Sequence, residues 1–321
     1  MPKVSVVIPA YNAMPYLPET LESVLRQTYH DFEVVVVNDG SSDNTEEWVS
    51  QILDPRLKLI SQANQGLAGA RNTGIVNASG EYIAFLDADD IWEPTKLAKQ
   101  VSVLDENPTV GLVYTWVAYI DEQGKSTGKI FKNQVEGYVW PQLTEHNIVE
   151  CGSVALVRRV CFEKMGLFDR NLGSYVEDWD MWLRIATSYD FKVVKEALVY
   201  YRQRSNSASK NWEAMAHSFA IVIEKAFATA SQDLQVLKNK SYGFTYLCLA
   251  WKPLQSFQKD YQKSREFCQQ AVAYYPSLRF SQEYIRLSIA INLMRWFGAD
   301  GYSKLLPLFH TMRRVKLALQ K

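Results

Sequence analysis

Apolar runs of strand length alternate with segments of helical periodicity through the first ~200 residues, the mark of a layered α/β domain. Lys3 to Pro9, Glu33 to Val37, Leu57 to Ser61 and Glu81 to Leu86 read as strands, each bounded by turn residues. Between them, Met14 to Gln27 places Leu17, Leu21, Val24 and Leu25 at helical spacing, and Gly66 to Asn77 reads as a helix opened by a glycine-containing loop. The cluster Asn38 to Asp43 predicts a turn into a helix, with Ser42 or Asp43 as its N-cap. A helix from about Pro94 to Glu106 carries proline in its first turn. Val110 to Ile120 predicts a further strand, closed by a hairpin turn at Asp121-Glu122-Gln123-Gly124. A short strand over Val154 to Val157 follows, then a helix over Arg159 to Met165 and another over Met181 to Ser188. Phe191 to Tyr201 is a last strand, and Arg202 to Ser209 a polar loop.

After about Asn211 the strand signals stop and helical periodicity continues to the end. Residues 261–276 place Ala271 and Pro276 as a tetratricopeptide repeat does, but a single weak copy favours a plain helical hairpin. The stretch 302–321 joins an apolar stripe (Leu305, Leu306, Leu308, Phe309, Met312, Val315, Leu317, Leu319) to Lys304, Arg313, Arg314, Lys316 and Lys321. Such a helix suits peripheral contact with an anionic membrane surface; packing on its own domain with a solvated basic face is the more economical reading.

Composition narrows the classes. Lys+Arg and Asp+Glu both count 35, so there is no basic excess and no nucleic-acid partner is expected. Cys151, Cys161, Cys248 and Cys268 form no CxxC pair and no Cys/His cluster, which indicates neither zinc nor a disulfide framework. No stretch approaches the ~20 apolar residues of a membrane span, and the N-terminal apolar run is too short for a signal peptide's core. The expected compartment is cytoplasmic, with any membrane contact peripheral and at the inner face.

The chemistry concentrates at the strand exits. Phe85-Leu86-Asp87-Ala88-Asp89-Asp90 crowds three carboxylates behind an apolar run. Mutual repulsion does not favour that arrangement for folding, but hard oxygen ligands suit Mn2+ or Mg2+. Pro9-Ala10-Tyr11-Asn12 leaves the first strand, where Tyr11 offers a wall for a planar base; an ordinary turn is the alternative. Asp39 ends the second strand, either accepting from a base or ribose or capping the next helix, and like Asp87 it would project at one edge of one sheet. Arg71, in Gln65-Gly66-Leu67-Ala68-Gly69-Ala70-Arg71-Asn72, is suited to a phosphate or a carboxylate. Glu177, Asp178 and Asp180 precede an apolar helix, and complementing its dipole is their bland role. Trp179 and Trp182 would stack on an acceptor sugar or simply pack. No GxGxxG or P-loop is present.

The order of Val-Val-Ile-Pro-Ala-Tyr-Asn at 6–12, Val-Asn-Asp-Gly-Ser-Ser-Asp at 37–43, Asn-Gln-Gly-Leu-Ala-Gly-Ala-Arg-Asn at 64–72 and Phe-Leu-Asp-Ala-Asp-Asp at 85–90 resembles family 2 glycosyltransferases. Gly166-Leu167-Phe168-Asp169 and Glu177-Asp178-Trp179-Asp180-Met181-Trp182-Leu183-Arg184 fit the same family, and the resemblance covers about residues 3–205. It implies a GT-A-type fold: a Rossmann-like nucleotide-sugar half at about 1–110, an acceptor half at about 111–209, a mixed central sheet, and then a C-terminal helical region over 210–321.

By that resemblance the chain is an inverting, metal-dependent transferase of hexosyltransferase type. It would move a sugar from a nucleoside diphosphate donor, with a UDP-sugar expected, to a saccharide or lipid-linked acceptor in polysaccharide or glycolipid synthesis. Pro9, Tyr11, Asn12 and Asp39 fall at the nucleoside, and Arg71 near its pocket. Asp87 and Asp89 form the DXD-type pair that handles the ribose and the diphosphate-bound metal. Asp178 falls at the general base, with Glu177 supporting it. Many relatives carry a histidine near Arg204; its absence leaves Arg202 or Arg204 to clamp the diphosphate, a solvated loop arginine being the alternative. A nucleotidyltransferase would need a glycine-rich loop where Pro9-Ala10-Tyr11-Asn12 stands. A non-catalytic nucleotide-sugar-binding scaffold acting through its helical tail is the remaining rival.

Overall fold

The computed structural model describes residues 1–173, 175–204, 211–256, 259–298 and 301. The stretch 302–321 and the loop residues 205–209, for which a basic amphipathic helix and a polar loop were expected, lie outside them. The chain divides into two compact units: residues 1–208 with 224–229, and residues 209–223 with 230–321.

In the first unit, β1 (Val4–Ala10) is buried at every position, and β2 (Phe32–Asp39) at all but one. Near-continuous valine and isoleucine runs of this kind belong to parallel strands covered on both faces. With β3 (Leu57–Gln62) and β4 (Tyr82–Phe85) they form a parallel set in the order β3-β2-β1-β4. The helices α1 (Leu17–Leu25), α2 (Thr45–Ser50) and α3 (Gly66–Asn77) connect them. The chain first builds outward from β1 to β3, then returns to place β4 on the other flank of β1. That reversal is a topological switch point, where open α/β sheets bind ligands beyond their carboxyl ends. Pro9 costs little here, because β4 stops at Phe85 opposite Val7 and leaves no ladder for the missing amide on that side.

The rest of the sheet is mixed. After β5 (Ile91–Trp92) and α4 (Lys96–Glu106), β6 (Val110–Ile120) pairs with the hairpin strand β7 (Ser126–Phe131). Helix α5 (Trp140–Glu145) precedes β8 (Leu156–Arg158), which lies antiparallel between β4 and β6. Helices α6 (Arg159–Met165) and α7 (Glu177–Ala186) lead to β9 (Asp190–Arg202), parallel to β6 and antiparallel to β5. The pattern reading missed β5 and α5, which are two and six residues long. It also started α7 four residues late. Glu177, Asp178 and Asp180 fill that helix's first turn, where negative charge complements the exposed amides.

The second unit holds most of α8 (Trp212–Ala228), followed by α9 (Lys238–Gln255), α10 (Tyr261–Tyr274) and a helix over 282–298. Helices α9 and α10 form a hairpin. Tyr242 and Tyr246 of α9 stack on Tyr274 of α10, with ring centroids 4.6 and 5.5 Å apart. Asp260 caps α10 by accepting from the Lys263 amide. Among the described residues no helix is long and apolar enough to cross a membrane.

Helix α3 approaches the sheet through Gly74, where a Cβ would come within 2.2 Å of Cγ1 of Val7. Val7 is buried and β-branched, so it cannot yield. Gly74→Ala would gain about 0.5–1 kcal/mol of helix propensity, but overpacking costs about 1–3 kcal/mol. A net loss of stability is expected in urea denaturation, and the double variant with Val7→Ala should lose less than the two single losses added together. An alanine variant as stable as the parent would refute this contact.

Candidate active site

The register brings the strand exits level. Val7 pairs with Phe85 and Ala10 with Asn38, so the parallel strands β1, β2 and β4 all end at the same edge, with Tyr11, Asp39 and Asp87 within two residues of the last pairs. The nucleoside candidates thus share one sheet edge with the first acid of the Asp87–Asp90 turn. Tyr11 is 57% exposed and free to act as a wall. Asn12 braces the backbone. At φ 48°, its Oδ1 accepts from the Ser42 amide at 2.8 Å and from the Asp43 amide at 3.3 Å, stapling the two exit loops together. Asp43 completes the staple by accepting from the amides of Met14 and Thr45. Asp39 is buried, and its Oδ1 accepts from Gln62 Nε2 at 2.6 Å and from the Gln65 amide at 2.8 Å. The bland alternative, in which Asp39 caps the following helix, is not what forms.

The acid turn is held from three sides. The Asp90 amide donates to the Asp87 carbonyl at 3.0 Å, closing the turn. Thr20 of α1 donates to the Ala88 carbonyl. Ser153, just before β8, accepts from the Asp87 amide at 3.1 Å and donates to Asp90 Oδ2 at 2.6 Å. Asp90 is fully buried, and its other oxygen accepts from the Arg202 amide at 2.9 Å. Burial and the neighbouring Asp89 and Asp87 push its carboxyl well above the usual range. Asp90 is therefore a brace inside the site, while Asp87 and Asp89 remain 25% and 21% exposed.

Arg71 is only 2% exposed and joins the two distant acid groups. Its Nη2 is 2.7 Å from Asp87 Oδ1, and its Nη1 is 2.7 Å from Glu177 Oε1. Of the two partners the sequence left open, phosphate or carboxylate, the structure supplies two carboxylates. The guanidinium lies 5.6 Å from the Phe168 ring centroid. It also lies flat against Gly152, where a Cβ would fall 2.7 Å from Nη2. Phe168 is itself fixed by Asn72, whose side-chain amide exchanges bonds of 2.9 and 2.8 Å with its backbone.

Asp178, next to Glu177, is half-buried. It accepts from the Trp179 amide at 2.7 Å and from Asn147 Nδ2 at 3.4 Å. Burial pushes its carboxyl up to about 6, against the opposing pull of Arg71. Trp179 and Trp182 are buried in the core and pack there.

The two arginines at the end of β9 differ. Arg202 is buried and commits each guanidinium nitrogen to the protein: the Asp89 carbonyl at 2.8 Å, the Glu122 carbonyl at 3.1 Å and Glu19 Oε2 at 2.6 Å. Arg202 is therefore not a solvated loop arginine, and the expected hold on a diphosphate would require it to leave these partners. Arg204 is 37% exposed and has Nε 2.8 Å from Asp89 Oδ2.

Among the described residues no three His, Cys, Asp or Glu side chains gather to hold a metal by themselves. The donor set is two partly exposed carboxylates at the mouth of the site. This fits Mg2+ or Mn2+, which bind through one or two carboxylates and complete their shells with substrate phosphates. Asn147, Glu150 and Ser153 were not singled out from the sequence; they come from an irregular loop with no motif of its own.

The family model described as Glycosyl transferase family 2 matches residues 5–166. An uncharacterized glycosyltransferase of Rickettsia typhi is 30% identical over 81% of this chain and 83% of its own length. One of Methanocaldococcus jannaschii is 33% identical over 68% of this chain and 77% of its own. Among solved structures, S. aureus TarS 1-349 in complex with UDP-GlcNAc aligns with a TM-score of 0.65 at 18% identity, covering 96% of this chain and 92% of that one. The mannosyltransferase PcManGT from Pyrobaculum calidifontis, in complex with GDP-Man and Mn2+, aligns with a TM-score of 0.57 at 20% identity, covering 95% and 86%. At such identities these two speak for the GT-A-type fold alone. The match over half the chain, and the relatives over most of it, assign the sequence: it belongs to glycosyl transferase family 2 and is a glycosyltransferase.

Proposed function

We propose that the protein is an inverting transferase that moves a sugar from a UDP-sugar to an acceptor hydroxyl, with a divalent cation held by Asp89 and Asp87. The observation that carries this is Arg71, which ties Asp87 at the switch-point edge to the helix that presents Asp178. A sugar hydroxyl is a poor nucleophile, so a carboxylate must take its proton as it attacks. Asp178 is that base. Asn147 and the Trp179 amide hold its two oxygens in orientation. Inversion needs the base and the leaving diphosphate on opposite faces of the anomeric carbon, and Asp178 and the Asp87–Asp89 pair come from separate elements bridged by one guanidinium. When bound, the cation supplies charge neutralisation to the departing diphosphate.

Tyr11 forms the wall for the base, and Pro9 shapes the turn that presents it. Asp39 reads the base edge: with Oδ1 engaged by Gln62 and Gln65, Oδ2 accepts an N–H from the ring. Uracil and guanine present a ring N–H there, whereas cytosine and adenine present an acceptor that a carboxylate repels. The TarS complex holds UDP-GlcNAc and the PcManGT complex GDP-Man, which supports a donor of this kind. With Asp89 holding a cation, Arg204, now 2.8 Å from that carboxylate, would be available to diphosphate oxygens. The acceptor is a saccharide or lipid-linked hydroxyl in polysaccharide or glycolipid synthesis.

Calorimetry with UDP and Mn2+ tests the donor assignment. UDP should bind with the cation present, and Mn2+ alone should bind weakly, since the protein offers only two carboxylates. No UDP binding with Mn2+ present would overturn the reading. Asp178→Asn should abolish sugar transfer while leaving UDP affinity within about twofold, because the residue touches the acceptor and not the nucleotide; loss of both together would remove it from the base role. The base must be ionised, and its carboxyl is raised to about 6. So kcat/KM should be flat above that pH and fall about tenfold per unit below it. A limb lying in the ordinary carboxylate range near pH 4 would contradict a buried base.

A further inference from the structure

Among the described residues three that are not glycine adopt positive φ: Asn12 at 48°, Glu150 at 74° and Lys259 at 47°. Asn12 staples the exit loops, and Lys259 sits in the turn before α10. Glu150 is different. It lies at the centre of the 147–153 loop, and glutamate has no short side chain to compensate the left-handed conformation locally, so the surrounding structure must enforce it. Its amide donates to the Asn147 carbonyl at 3.2 Å, and the next amide, of Cys151, to the Val149 carbonyl at 3.0 Å. Its Oε1 accepts from the Tyr119 hydroxyl. Tyr119 is buried in β6, set edge-on against Tyr201 with centroids 5.8 Å apart. The phenol therefore aims the carboxylate, and the half-buried Glu150 remains in reach of solvent.

The loop's two ends define what passes beside it. At one end Asn147 touches Asp178; at the other Ser153 holds the Asp87 amide and Asp90. In an inverting displacement the transferred sugar spans that same interval, from the proton acceptor to the diphosphate. We propose that Glu150 is a specificity-determining residue whose carboxylate accepts hydrogen bonds from hydroxyls of the transferred sugar. A carboxylate has about four acceptor positions, so it can serve vicinal hydroxyls as well as protein donors. This inference rests on the transfer reaction proposed above.

The test compares the full chain with Glu150→Gln, Glu150→Gly and Tyr119→Phe. It measures Tm, UDP and UDP-sugar affinity with Mn2+, and nucleotide release over a panel of UDP-sugars. UDP affinity should stay within about twofold. The preference for UDP-sugar over UDP should fall about tenfold or more in both Glu150 variants, as should nucleotide release, since each lost bond to a charged acceptor is of that size. Glu150→Gly should change Tm little, because the strain glycine relieves at this φ is set against the lost acceptor of the buried Tyr119 hydroxyl. Tyr119→Phe should give an intermediate loss. Glu150 variants that discriminate UDP-sugar from UDP as the parent does would overturn the inference while leaving the transfer reading intact. So would a Glu150→Gly variant that loses Tm while Glu150→Gln stays fully active, since that pattern marks a structural role. A parent chain that neither binds UDP nor releases nucleotide overturns the transfer reading, and this inference with it.

Discussion

One buried cation sets the geometry on which the first unit's chemistry depends. Arg71 is 2% exposed and its charge is balanced by Asp87 and Glu177 at once. Withdrawing a guanidinium from water costs several kcal/mol, and only well-placed partners offset it. Removing one partner of such a cluster costs about 3–5 kcal/mol, because the charge left behind is still buried. The end of β4 and the start of α7 are therefore held at a fixed distance, though about ninety residues separate them. The next residue along α3 extends the effect. Asn72 clamps Phe168, and Phe168 covers the guanidinium face. Gly152 also packs against the guanidinium, where any side chain would strike it.

This makes α3 more than a connector. Its Gly74 lets the helix sit close against Val7, and its Arg71 and Asn72 reach over the strand ends. A helix shifted outward by a methyl group would move the guanidinium as well as loosen the core. Stability and site geometry are coupled here through one rigid element, since a packed helix–sheet interface does not deform continuously.

The strand exits were readable in the sequence because an apolar run ending in acids has few structural excuses. Asp39, Asp87 and Asp89 were singled out that way, and the parallel register of β2, β1 and β4 puts the strand exits at one edge. Arg71 was legible as a charged residue in a glycine-flanked helix, but its partners were not. A guanidinium suits phosphate and carboxylate equally, and only the fold brings Glu177 to it. Arg202 illustrates the same limit: nothing in Arg202-Gln203-Arg204 says which side chain turns inward, because that depends on the position of Glu19, Asp89 and Glu122 around the end of β9. Asn147, Glu150 and Ser153 lay in a stretch without periodicity, where the backbone path is decided by tertiary hydrogen bonds. The short elements β5 and α5 escaped for a related reason. Two residues carry no period, and the bond from the Trp92 indole to the Ser153 carbonyl at 2.9 Å holds that segment more than any propensity does.

Charge balance explains why so acidic a site suits a sugar nucleotide at all. Five carboxyl groups, Asp87, Asp89, Asp90, Glu177 and Asp178, face three guanidinium groups, Arg71, Arg202 and Arg204, and Arg202 is shared with Glu19. The protein relieves part of the excess by letting burial raise Asp89, Asp90, Glu177 and Asp178, so that protons are held more tightly than on free carboxylates. A diphosphate entering beside these groups adds charge of the same sign. Protonating the acids further would neutralise it only by disabling Asp178 in its proposed role as base. Under the proposed function, a divalent cation held by Asp89 and Asp87 would lower the repulsion without taking a proton from solution, and would leave Asp178 ionised. On that proposal the crowding of acids, unfavourable for folding alone, would make nucleotide and cation binding mutually dependent.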